Sequence, residues 1–143
     1  RHTKKNGTMK YIIPLLFILF SLVCISCGNN MISIDAENSS IYSTDNYILR
    51  YLTLGTDSAE FTYRISLKNG HVGSSLINLN SIDDDYLITY NDSIVANKDF
   101  HLRANFKYLI SNFSFPDAGH CAIEFSTNSN ADIISSNNAK WSI

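Results

Sequence analysis

Downstream of residue 27 the sequence predicts an all-β fold, an antiparallel β-sandwich of seven to nine short strands, and three observations carry that expectation. In Glu60-Phe61-Thr62-Tyr63-Arg64-Ile65-Ser66-Leu67-Lys68 every odd position is apolar and every even one polar, and His101-Leu102-Arg103-Ala104-Asn105-Phe106-Lys107-Tyr108 alternates with the opposite phase. Successive strand residues point to opposite faces, so such a segment buries one face and wets the other. Turn-formers punctuate the chain between apolar stretches. No stretch after residue 27 carries the three-to-four-residue apolar spacing of an amphipathic helix. A small barrel is the alternative arrangement.

In chain order, Met31–Glu37 and Tyr47–Leu54 read as the first strands, followed by the alternating Glu60–Lys68. Asn69-Gly70 then gives the strongest hairpin signal, because Asn-Gly accepts the positive φ of tight hairpin turns. Ser75–Asn80, Tyr86–Tyr90 and Ser93–Val95 follow, separated by Asp83-Asp84-Asp85 and Asn91-Asp92. Asn97-Lys98-Asp99 leads into the second alternating segment, His101–Tyr108, read as a strand. Pro116-Asp117-Ala118-Gly119 turns the chain into His120–Ser126, with Cys121, Ile123 and Phe125 on one face and His120, Ala122 and Glu124 on the other. Asn128-Ser129-Asn130 is the next turn, and Ala139–Ile143 the last strand. Asn29–Ser40 is polar enough to include a short tether, although Met31-Ile32-Ser33-Ile34 already has strand character.

The first part of the chain has a different grammar. Arg1, Lys4, Lys5 and Lys10 precede the apolar run Tyr11–Cys27, and Gly28-Asn29-Asn30 ends it without a basic cluster. The run is 17 residues long, at the lower edge of a spanning helix, so a cleaved export signal fits better than a membrane anchor. The order of basic residues, apolar run, Ser26 and Cys27 resembles the signal peptide of bacterial lipoproteins. That resemblance implies diacylglycerol on Cys27 and cleavage before it, although Cys24 and Ile25 depart from the usual residues at their positions. On this reading residues 1–8 are a non-native extension, residues 9–26 the signal, and residues 27–143 a single sandwich domain with a short tether. It places the protein in a bacterial cell envelope, as an outer-membrane lipoprotein facing the periplasm or the cell surface.

Charge and cysteine content exclude several roles. The formal charge of −2 conceals a mature part with seven basic and thirteen acidic residues, a balance that argues against nucleic acid or anionic lipid as the main partner. The cysteines are Cys24, Cys27 and Cys121. Cleavage and lipidation would leave Cys121 alone, a small buried hydrophobe. His71, His101 and His120 are widely spaced and no serine sits in a nucleophile-elbow pattern, so no enzymatic role, cofactor or metal site is expected. Asp83-Asp84-Asp85 lacks the ligand order of an EF-hand and reads first as a solvated acidic turn. With Tyr86 it is also the segment to inspect as an interaction loop. Phe113, Phe115, Tyr42 and Tyr90 are further aromatic candidates for a contact surface. The Asn-X-Ser sequons at Asn38, Asn91 and Asn112 matter only in a eukaryotic source.

The run Phe106–Ile123 resembles the segment of immunoglobulin-like domains in which a hydrophobic strand enters an Asp-Ala-Gly corner, here Asp117-Ala118-Gly119. Cys121 and Ile123 stand where that pattern has its tyrosine and cysteine, and Trp141 is far from an early core strand. The likeness implies an immunoglobulin-like or transthyretin-like sandwich rather than membership of the immunoglobulin family. The expected function is therefore a lipid-anchored, non-enzymatic protein-interaction or structural module, an accessory of an envelope or secretion assembly. The alternatives are a lipoprotein binding a small molecule or glycan, and an inhibitor of an envelope hydrolase.

Overall fold

The computed structural model describes residues 28–56, 62–136 and 140–142. Residues 1–27, with the expected signal segment and Cys27, lie outside the described residues, as do Glu60 and Phe61 of the first alternating segment and Ala139 and Ile143 of the last expected strand. The fold is all-β and its pairings are antiparallel, consistent with a β-sandwich. One sheet has three strands in the order β1 (Ile32–Asp35), β2 (Ser40–Ser43), β5 (Leu76–Asn78). The other includes β3 (Tyr51–Gly55), β4 (Thr62–Leu67), β6 (Tyr86–Tyr90), β7 (Ser93–Val95), β8 (Lys107–Asn112), β9 (His120–Thr127) and β10 (Ile133–Ser136). Its order is β10-β9-β8-β3-β4-β6-β7, and β11 (Lys140–Ser142) continues the β10 edge along β9.

Alternation decides what is buried. Along β9, Cys121, Ile123, Phe125 and Thr127 are buried while the residues between them are half-exposed, as the sequence implies. Leu52, Leu54, Ile65, Ile88, Tyr108 and Ile110 of the large sheet meet Ile32, Ile41 and Ile77 of the small one in one continuous core. Each such side chain contributes about 1.5–3 kcal/mol by leaving water. No buried side-chain nitrogen or oxygen among the described residues lacks a hydrogen-bond partner.

Several expectations are overturned. His101–Phe106 is not a strand; only Lys107 and Tyr108 of that segment join the ladder, as the start of β8. Its alternation still buries Leu102 and Tyr108, but its backbone bonds elsewhere. Tyr108 Oη accepts the Arg103 N–H, the Arg103 carbonyl accepts the Thr127 hydroxyl, and Asn105, at φ 52°, donates its N–H to Asn128 O. Alternation reports burial, and here side-chain hydroxyls replace the ladder.

Asn69-Gly70 is not a hairpin. His71 N–H closes a turn on Lys68 O at 3.1 Å with Gly70 at φ 79°, but β4 pairs with β3 and β6, while the chain after the turn crosses to the small sheet as β5. The tight hairpin is instead Asn91-Asp92. Tyr90 pairs with Ser93, and both loop residues have positive φ, 45° and 68°, which is the type I′ turn that matches strand twist.

Strands also exceed the expected seven to nine, because β2 and β10 were hidden. Both carry serines that read as loop, yet Ser40 and Ser43 are buried and hydrogen-bonded. The expected strand over Tyr47–Leu54 forms only from Tyr51. Tyr47 N–H is taken by Ser43 Oγ, and Arg50 N–H by Ser114 Oγ at 2.7 Å. The corner after β8 is a single 3-10 turn, Pro116–Ala118, closed by Gly119 at φ 68° and ψ 177°, a conformation essentially confined to glycine. The strands flanking it pair directly in one sheet, whereas immunoglobulin domains place them in opposite sheets.

Candidate functional site

The acidic segment is built as a cap. Asp83 Oδ1 accepts the Asp85 N–H at 2.8 Å and Asp83 O accepts the Tyr86 N–H, which turns the chain into β6. Lys68 Nζ donates to Asp84 O, and Asn97 Nδ2 donates to Asp83 O and Tyr86 O. His71 Nδ1 lies 2.7 Å from Asp85 Oδ1. That hydrogen bond, outweighing a smaller opposing effect of burial, holds the Asp85 carboxyl below its ordinary value. Asp83 and Asp84 are exposed, so they form the outer surface of the segment.

Tyr86 is not on that surface. It is 1 % exposed, its hydroxyl donates to Leu49 O at 2.8 Å and accepts the Ser74 N–H, and burial pushes its phenol up. The bonds tie the large sheet to the segments leading into β3 and β5. Tyr90 packs on Tyr63 with ring centroids 4.9 Å apart.

Besides the exposed Ile94 on β7 and Ile134 on β10, three exposed regions stand out as contact surfaces. A shallow polar groove of about 210 Å³ is lined by Thr62, Arg64, Asn91 and Asp92, with Arg64 Nη1 bonded to Asp92 at 2.6 Å. That volume is smaller than a site for a drug-sized ligand. The outer face of the small sheet sets Tyr42 opposite Leu76. Both are exposed, as are Met31, which precedes β1, and Val72, which precedes β5.

The third region is the end of the sandwich where the chain enters it. Asn30 is fully buried although it stands three residues after Cys27. Its Nδ2 donates to Phe115 O at 2.7 Å and to Gly119 O, and its Oδ1 accepts the Phe115 N–H at 2.9 Å. Asn112 Nδ2 donates to Asn30 O, and Asn112 Oδ1 accepts the Ser114 hydroxyl. Asn29 bonds Asp45 with its side-chain amide, and a Cβ on Gly28 would run into the Phe115 ring. Aromatic rings gather beside this dock. Phe115 meets Tyr47 edge-on, Phe113 meets Tyr51 edge-on at 6.2 Å, and Phe113 stacks on His120 at 4.8 Å.

The fold does not unite the sequence-derived candidates. Cys27 is outside the described residues, Asp83–Asp85 cap β6, and Phe113 and Phe115 sit at the entry corner. His71, His101 and His120 are apart, and no group of three potential metal ligands forms among the described residues. Asn30, Leu76 and Met31 are the surface and docking residues that sequence reasoning missed. Asn30 gave no signal, since its partners lie more than eighty residues away. No protein-family model, curated protein or solved structure matches the chain.

Proposed function

We propose that this chain is exported, anchored in a bacterial envelope membrane through acyl chains on Cys27, and acts there as a non-enzymatic protein-interaction module. The observation that supports an interaction role is the apolar margin of the small sheet. β5 is the outer strand of the β1-β2-β5 order, Leu76 on it is half-exposed and lies against the exposed Tyr42, and Val72 just before it is 82 % exposed. On the outer edge of β5 Leu76 N–H is already taken by Ser74 Oγ and Asn78 O by the Ser81 N–H, so the contact is made by the apolar side chains, and aromatic and large apolar groups are the usual anchors of interfaces. The partner is an envelope protein presenting an apolar patch. A filled core beside an exposed apolar margin suits this role better than the small-molecule alternative, for which the polar groove at Arg64 is small.

The test is photo-crosslinking in living bacteria from positions 72 and 76, with position 98 on the opposite sheet's side of the chain as the control. The proposal expects one discrete adduct from 72 and 76, none from 98, and loss of the adduct from position 72 in the folded double variant Tyr42→Ser, Leu76→Ser. Equal labelling from all three positions, or adducts untouched by the double variant, would contradict it.

A further inference from the structure

We infer that the end of the sandwich built by the entry of Asn30 and the corner Phe113–Gly119 lies against the lipid interface of the membrane that holds the chain. The inference rests on the proposed acylation of Cys27 and adds the orientation of the domain. Acyl chains buried in a bilayer fix their cysteine at headgroup level. Three residues of fully extended chain span at most about 10 Å, and Asn30 is already locked into the corner by its own side chain. The two intervening residues are also engaged, Gly28 on the Phe115 ring and Asn29 on Asp45. A domain tied this closely cannot tumble on a leash.

The chemistry of that end agrees with its place. Tyr47, Tyr51, Phe113 and Phe115 cluster there, and Phe113 is 37 % exposed. Aromatic rings partition into the interfacial zone between headgroups and hydrocarbon. The register places Asp83 and Asp84 at the same end as the exposed Asp45 and Asp117, and these carboxylates outnumber the exposed Arg50 and Lys68 there, so the contact is made by ring partitioning and not by attraction to anionic lipid. β9 starts at this corner and runs eight residues, about 26 Å, to the Asn128–Asp132 turn. That turn therefore faces away from the membrane, as does the Asn91-Asp92 hairpin.

The test uses the full chain, purified with its acyl chains from a bacterial host and reconstituted into phosphatidylcholine vesicles carrying brominated acyl chains. Trp141→Phe provides the background, with a single tryptophan restored as Phe113→Trp or Asn130→Trp, and circular dichroism confirms that each variant is folded. Intact mass on the same samples reports acylation. Several-fold stronger quenching at 113 than at 130 is the expected result. Acylated protein with equal quenching at both positions, or stronger quenching at 130, overturns the orientation and leaves the anchor standing. Protein without acyl mass overturns the anchor, and the orientation with it.

Discussion

Asn30 makes three side-chain hydrogen bonds to the backbone of the corner while buried from water, and its carbonyl accepts a fourth bond from Asn112. Truncation leaves the Phe115 N–H and two carbonyls without that partner, and each such loss costs about 1–3 kcal/mol. Asn30→Ala should therefore lower stability by about 2–4 kcal/mol, read from urea unfolding at constant slope. Nothing in the sequence distinguishes Asn30 from Asn29, because the difference is made by Phe115 and Gly119. Asp85 can be predicted more finely. Its folded-state pKa is lowered, so its contribution to stability is complete above the ordinary carboxylate pKa and is lost as the pH falls through the lowered value. Both partners keep more than a third of their side chains in solvent, and the effect on stability is small. The direct reading is carboxyl-carbon NMR, in which His71→Ala should raise the Asp85 pKa toward an ordinary aspartate, since the His71 hydrogen bond is its leading cause.

At the scale of elements, the β6–β7 hairpin depends on two residues at positive φ. Glycine at Asp92 removes the backbone strain and loses only an exposed ion pair, worth about 0–1 kcal/mol, whereas a β-branched residue there adds about 1–2 kcal/mol of left-handed strain. Thermal unfolding should show Asp92→Gly at or above the parent midpoint and Asp92→Val several degrees below it. The same comparison explains what was legible in the sequence. Tyr86–Tyr90 and Ser93–Val95 are readable to the residue, because the turn-formers Asp83-Asp84-Asp85, Asn91-Asp92 and Asn97-Lys98-Asp99 bound them. Asn69-Gly70 was misread as a hairpin because its dipeptide specifies a turn but not which strand the outgoing chain will pair with. Of the alternating apolar residues in His101–Phe106 only Leu102 is buried, with Phe106 half-exposed and Ala104 in solvent, and the buried serines of β2 look like loop. Local pattern records faces and turns; pairing is set by contacts far along the chain.

For the molecule as a whole, the sandwich class follows from patterning, while the sheet order requires the nonlocal pairing of β3 with β8 that no local signal encodes. The single described cysteine, Cys121, is fully buried in that sandwich. A thiol reagent should leave Cys121 unmodified under native conditions and label it only in denaturant; rapid native labelling would mean that the β9 face opens. None of the candidate contact surfaces was fully readable from sequence, because each combines residues from separate strands: Tyr42 with Leu76, and Asn30 with the corner. With Cys27 acylated as proposed, the membrane anchor stands three residues before the buried Asn30. The measurement that tests it most directly is the intact mass of the membrane-fraction protein expressed from Met9, beside Cys27→Ala. A species beginning at Cys27 and carrying acyl mass, absent from the variant, is expected. An unmodified species, cleaved at another position or recovered equally from both, would contradict it.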